Sequence, residues 1–381
     1  MRNIKTSLSI LVFAAVIISP LSIRAEITTY DDGEKYLAFG GEIQLQYHKE
    51  MPDGGETTDE LFFRRLRANI EGSLHRDWMA RLQLDLGEAD VDNEVKIKDA
   101  YFQYMGWQGM NLKIGNAKFP FSRVYLTSSK YRQLVERPFV GERNSGTPER
   151  NLGLHLTGKT GSRKVSWGVS ATVASEVLDN TKLEFNTPVN KRGDDWSDGF
   201  MAGGRIDWHP FGYLKFSMGD FNRVTKATIG VAAFTWSNDN DNLSSSPCTT
   251  DCDVKDVTGI EISGAFRGAG VSIDAEYNSF DAETVEAGIT DGIYKNGKTT
   301  LSNASIEGGY MIADTIELVA CYETQDADGY TTSWNRTSAG ANWFINRHDT
   351  KVQFTYRIGE NLDGVQNNDE NEVFLQTQFV F

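Results

Sequence analysis

The residues best suited to chemistry in this 381-residue chain gather in one stretch. Between 118 and 150 stand Lys118, Arg123, Lys130, Arg132, Arg137, Arg143 and Arg150, against the acids Glu136, Glu142 and Glu149. Seven cations against three acids leave +4 inside a chain whose formal charge is −15. Thr127, Ser128 and Ser129 lie beside Lys130 and add neutral hydroxyl donors. A guanidinium offers an oxyanion paired planar donors, and an ammonium offers a compact charge. Hydroxyls replace part of an anion's hydration shell without holding it too tightly to release. The chemistry expected of this stretch is reversible anion coordination, joined by Arg65, Arg67 and Lys113 from flanking segments.

Other chemistries find little support. The five His (His48, His75, His155, His209, His348) are scattered, with no G-x-S-x-G or H-E-x-x-H, so catalysis is not expected. No C-x-x-C-H attaches a haem, and no cofactor or metal is expected. Cys248 and Cys252, in SSSPCTTDCD, suit a small loop disulfide better than a metal site, which needs more ligands. Cys321 has no evident partner. Acids crowd several segments, including Glu50, Asp53, Glu56, Asp59 and Glu60, then Glu88, Asp90, Asp92 and Glu94. They read as a solvated surface, or as sites that gather cations or bridge lipopolysaccharide through divalent ions. A pI near 4.9 with no basic domain excludes a nucleic-acid partner.

These residues need elements to position them, and past residue 35 the pattern is alternation, the period of strands with one apolar face. In YLAFGGEIQLQYH, Leu37, Phe39, Ile43 and Leu45 share one side, and Glu42, Gln44 and Gln46 the other. Alternation puts Arg65, Arg67, Asn69 and Glu71 on one face of the next strand, with Arg81, Gln83 and Asp85 following. Short turns alternate with longer polar segments, which predicts a transmembrane antiparallel β-barrel of about 16 strands. Its third loop, 118–150, is long enough to fold into the lumen. YLKFSMGDF (213–221) also alternates, but a seventeenth strand would put the two chain ends on opposite faces, so 209–226 reads as an extended turn. A soluble sandwich or propeller also alternates. Against it stand the polar second faces, the final strand ending in Phe381, and aromatics rimming the apolar faces (Tyr47, Trp78, Trp107, Trp167, Trp208, Trp236, Trp343).

Residues 1–25 read as a cleaved export signal, with Arg2 and Lys5 before an apolar core at 8–18, Pro20, and Ala25 at the cut. A retained membrane anchor is the alternative, disfavoured by the short core. The barrel domain then spans 26–381. A mean hydropathy of −0.42 excludes a helical membrane bundle.

FFRRLRANIEGSL (62–74), IKDAYFQY (97–104), LKIGNAKFPFS (112–122) and LTSSKYRQLVERP (126–138) resemble the phosphate-selective porin O/P family, as does WHPFGYLKFSMGDF (208–221). The resemblance implies a sixteen-stranded porin in the bacterial outer membrane, a homotrimer of separate pores, and an anion path along loop and wall cations. The resemblance carries that path to Arg65, Arg67, Lys118, Lys130 and Arg132, and loop charge and strand register add Lys113, Arg123, Ser128, Ser129 and Arg137 as candidates. The expectation is a passive, anion-preferring, phosphate-type channel for small anionic solutes, embedded in outer-membrane lipid and lipopolysaccharide. A general or cation-preferring porin, or a barrel that sheathes a partner protein, is the alternative.

Overall fold

The computed structural model of the chain describes residues 27–87, 95–186, 198–241, 243 and 251–381. The signal at 1–25, the acids at 88–94 and Cys248 lie outside the described residues. Sixteen strands form the wall: β1 Tyr36–Pro52, β2 Thr58–His75, β3 Trp78–Asp85, β4 Lys96–Tyr104, β5 Met110–Lys118, β6 Arg150–Lys159, β7 Val165–Val173 and β8 Gly199–Trp208. The second half runs β9 Lys226–Asn238, β10 Val254–Gly268, β11 Val271–Thr284, β12 Lys298–Ala313, β13 Ile316–Asp326, β14 Trp334–Asn346, β15 Thr350–Glu360 and β16 Glu370–Val380. Each pairs antiparallel with its sequence neighbours, and β16 pairs with β1 from Val380–Glu42 to Glu370–Pro52. The sheet has no free edge, because closure satisfies every ladder internally.

The terminal Phe381 helps seal that seam. Its backbone exchanges two hydrogen bonds with Gly41, at 2.8 and 3.1 Å. A Cβ at Gly41 would run into the Phe381 ring, so glycine is required there. A short strand, Ile27–Asp31, pairs with the start of β1 below the seam.

Alternation sorts the side chains as expected of a barrel in lipid. Ile206, Ile229, Ile260, Ile262, Ile306 and Leu318 are more than half exposed on the outside. Inside, Gln44, Asn69, Gln83, Asn278, Asn303, Gln353 and Gln378 are buried and polar. One aromatic departs from the expected girdle. Trp236 is fully buried and faces inward, donating its indole N–H to the Ala174 carbonyl at 2.8 Å. It joins Phe119, Phe121, Phe185, Phe234 and Phe280 in an apolar core inside the barrel, where loop roots rather than water meet the wall. Trp236 therefore does not rim the lipid-facing side, as its place among the girdle aromatics predicted.

The segment after β8 has no barrel strand; it is the extended turn that the even strand count required. It folds back beneath the third loop, with the Met218 N–H on the Tyr131 carbonyl at 3.0 Å and Phe216 beneath the Arg123 guanidinium at 5.3 Å. Cys252 is disulfide-bonded, whereas Cys321 is a free thiol buried in the wall.

Candidate pore site

The third loop enters the lumen and leans on one side of it. Short turns break its path: α1 Arg123–Leu126, capped by the Ser122 hydroxyl, and 3₁₀ turns at Ser129–Tyr131 and Phe139–Gly141. Such a loop carries backbone N–H groups that no ladder satisfies, so the wall must accept them. Carboxylates on β11 to β13 do. The Val124 N–H donates to Glu276 at 2.8 Å, the Leu134 N–H to Glu307 at 3.3 Å, and the Phe139 N–H to Glu323 at 2.6 Å. The Gln133 amide reaches Glu317 at 2.6 Å, and Arg123 pairs with Asp274 at 3.0 Å. On β15, Lys351 donates to the Arg132 carbonyl at 2.7 Å.

The acidic wall is therefore occupied in holding the loop. What faces the remaining open space is the loop's other side and the wall of β1 to β6. A cavity of about 330 Å³ lies between them, lined by nine cations and four acids. Among the cations are Arg64, Arg65, Arg67, Lys98, Lys118 and Arg150. A second cavity of about 940 Å³ opens toward the short turns, lined by Lys113, Lys159 and Lys215 among others. Lys118 lines both, so its ammonium marks where the two spaces approach each other.

These cations are oriented rather than loose. Arg67 reaches Asp85 at 2.7 Å and the Ser129 hydroxyl at 2.9 Å, and Ser129 in turn donates to Glu42 at 3.0 Å. Arg65 donates to Gln44 at 2.7 Å. Arg150 meets Asp99 at 2.6 Å and the Tyr125 hydroxyl at 3.0 Å. Lys118 donates to the carbonyls of Tyr125 and Leu126 at 2.8 and 3.0 Å. Burial and the neighbouring Arg132 charge pull Arg137 down to about 10, which leaves it cationic at neutral pH. Burial pushes the Glu149 carboxyl up, but Lys98 and Arg150 outweigh it and hold it at about 2.

Of the residues singled out from sequence, Arg65, Arg67, Lys118, Ser128, Ser129 and Arg137 line the first cavity and Lys113 the second. Three stand elsewhere. Arg123 and Arg132 are buried in the contact between loop and wall, and Lys130 lies over its neighbour Tyr131 at 5.1 Å. Arg143 and Arg150 line the first cavity as well. Sequence reasoning missed Arg64 and Lys98. A bulge between β1 and β2 breaks strict alternation, so Arg64 and Arg65 both turn inward. The doubled Arg in FFRRLR was the one available signal.

A closed sixteen-stranded barrel with a lumen narrowed by its own third loop defines the class: a porin-type β-barrel. Residues 38–202 match the family model described as phosphate-selective porin O and P. The chain is 26% identical to Porin O of Pseudomonas aeruginosa over 182 residues, covering 44% of this chain and 41% of that protein. It spans about half the length of the curated relatives it matches. The anion-selective porin from Comamonas acidovorans shares the fold at TM-score 0.64 and 11% identity, with 91% of this chain and 100% of that one covered. A trimer form of OmpT from Vibrio cholerae aligns at TM-score 0.58 and 12% identity, covering 91% of this chain and 100% of that one.

Proposed function

We propose that this protein is a passive, anion-preferring diffusion channel of the phosphate type in a bacterial outer membrane, exported by its first 25 residues. The observation that carries this reading is the division of the lumen: the acidic wall binds the loop, and the open side is lined by nine cations against four acids. Low-dielectric walls focus the field at such a narrowing, so local charge outweighs the acidic total. Most acids elsewhere lie near wet loops, screened beyond about 8–10 Å. A loop that narrows the lumen also argues against a sheath for a partner protein. The names of the relatives, Porin O and an anion-selective porin, agree with the sign of the charge. The trimer form of OmpT supports assembly as a trimer.

The test is the reversal potential of the purified protein in planar bilayers under a KCl gradient. An anion-selective sign, stronger at low than at high salt, is expected; a cation-selective sign at both overturns the reading. Millimolar phosphate should reduce the chloride current, and absence of block would leave a general anion channel.

A further inference from the structure

At the long-loop end of the barrel, β16, β1 and β2 bring a histidine and three carboxylates together. In register, His48 on β1 lies opposite Glu60 on β2 and Phe374 on β16, while Glu50 lies opposite Glu372. His48 shares the inward parity of Gln44 and Gln46. Its ring stacks on Phe374 at 4.4 Å with planes 7° apart, which fixes the imidazole's orientation. Nε2 is 3.0 Å from Glu372 Oε1. An ionised carboxylate only accepts, so Nε2 carries the proton. Glu372 is itself anchored by Arg357 at 3.2 Å.

With Nε2–H committed, the neutral ring presents its lone pair on Nδ1. That atom faces Glu50 Oε1 at 3.7 Å and Glu60 Oε1 at 3.8 Å, too far for hydrogen bonds. Glu50 is turned by a hydrogen bond from Thr58 to its other oxygen, at 3.3 Å. A Glu372 oxygen lies within 4.8 Å of ligand atoms of both His48 and Glu50, so the carboxylate that orients the ring also adds its charge to the cluster. Two ligands about 2.1 Å from one tetrahedral zinc ion stand about 3.4 Å apart. The Nδ1–carboxylate spacings are a few tenths of an ångström longer, and the Glu50 and Glu60 side chains are 46% and 63% exposed, free to close that difference. A carboxylate holding the far nitrogen of a ligating imidazole is the usual outer partner in zinc sites.

We propose that His48 Nδ1, Glu50 and Glu60 bind a first-row divalent transition-metal ion, zinc above all, at the long-loop mouth, with Glu372 as the outer carboxylate that orients the ring. Imidazole selects such ions over magnesium and calcium, which prefer oxygen-only shells. Water completes the coordination. The site does not depend on the direction of ion selectivity, and binding is read without conduction.

The test is equilibrium dialysis of the refolded full-length protein in detergent against Zn²⁺, with metal analysis, and the absorption spectrum of Co²⁺ in its place. One Zn²⁺ per chain at pH 7.5 is expected, lost on acidification as protons compete for Nδ1. His48→Ala and the double variant Glu50→Gln/Glu60→Gln should lose it, and Glu372→Gln should bind about 10- to 100-fold more weakly. Retained heat-modifiable gel migration identifies folded barrels among the variants. Absence of stoichiometric Zn²⁺ in the native protein, or equal binding by His48→Ala, overturns the proposal. Equal uptake of Mg²⁺ and Zn²⁺ also overturns it, because the acids alone would then account for binding.

Discussion

Arg64 on β2 and Glu136 on the third loop form a two-point ion pair across the lumen, Nε to Oε1 at 2.7 Å and Nη2 to Oε2 at 3.0 Å. Burial favours the neutral acid at Glu136, but the Arg64 charge and hydrogen bond hold its pKa well below the usual carboxylate range. The pair ties the loop to the basic wall as the opposite carboxylates tie it to the acidic one. It also neutralises one cation of the path.

Glu136→Gln should therefore increase anion preference, because a negative charge lining the cavity is removed while the amide keeps the shape. The anion-to-cation permeability ratio is expected to rise by about twofold at low salt and less at high salt, where the Debye length shrinks. Reversal potentials at two ionic strengths check this, and an unchanged ratio would show that Arg64 lies off the ion path.

Neutralising cavity-lining cations should matter more than neutralising one outside it. Arg137→Gln should lower the permeability ratio more than Lys130→Gln, whose side chain lies over Tyr131. The comparison is made on single channels under a KCl gradient. Equal effects would mean that the loop's total charge, rather than its placement, sets selectivity.

Removing a wall acceptor should loosen the loop. In Glu323→Ala the buried Phe139 N–H loses its partner at 2.6 Å, a cost of about 1–3 kcal/mol. Noisier open-channel current and a lower unfolding temperature are expected, with the barrel's far-UV spectrum retained.

Acid should act on stability with a definite sign. Glu149 titrates near 2 in the folded protein against an ordinary 4.5, so its ionised form stabilises the fold above about pH 4.5. That contribution is lost as the pH falls from about 4.5 toward 2. Glu149→Gln should make the protein less stable at pH 7 and shrink the difference in stability between pH 7 and pH 3. Denaturant unfolding at the two pH values measures it.

Inside the barrel, Phe280→Ala should remove a fully buried ring from the core beside Trp236 and Phe234. A cost of about 3–5 kcal/mol is expected, from lost burial plus the cavity left behind. Thermal unfolding gives the value, and a cost below about 1 kcal/mol would mean that the core repacks.

The sequence by itself determined the barrel. Period-two alternation follows from lipid on one face of the wall and water on the other, and the even strand count that ruled out a strand at 213–221 follows from closing the sheet so that every backbone group is paired. It also marked 118–150 as the charged segment, because composition needs no coordinates. Only the tertiary structure decided which cations face open space. Arg132 and Arg123 look like Arg137 in sequence, yet they are buried against the acidic wall while Arg137 lines the cavity. Arg64 turns inward through a bulge, and Trp236 points into an apolar core rather than toward lipid. The physical reason is one of range. Strand faces are fixed by neighbours two residues apart, whereas a loop's path is fixed by partners such as Glu276, Glu307 and Glu323, more than a hundred residues away.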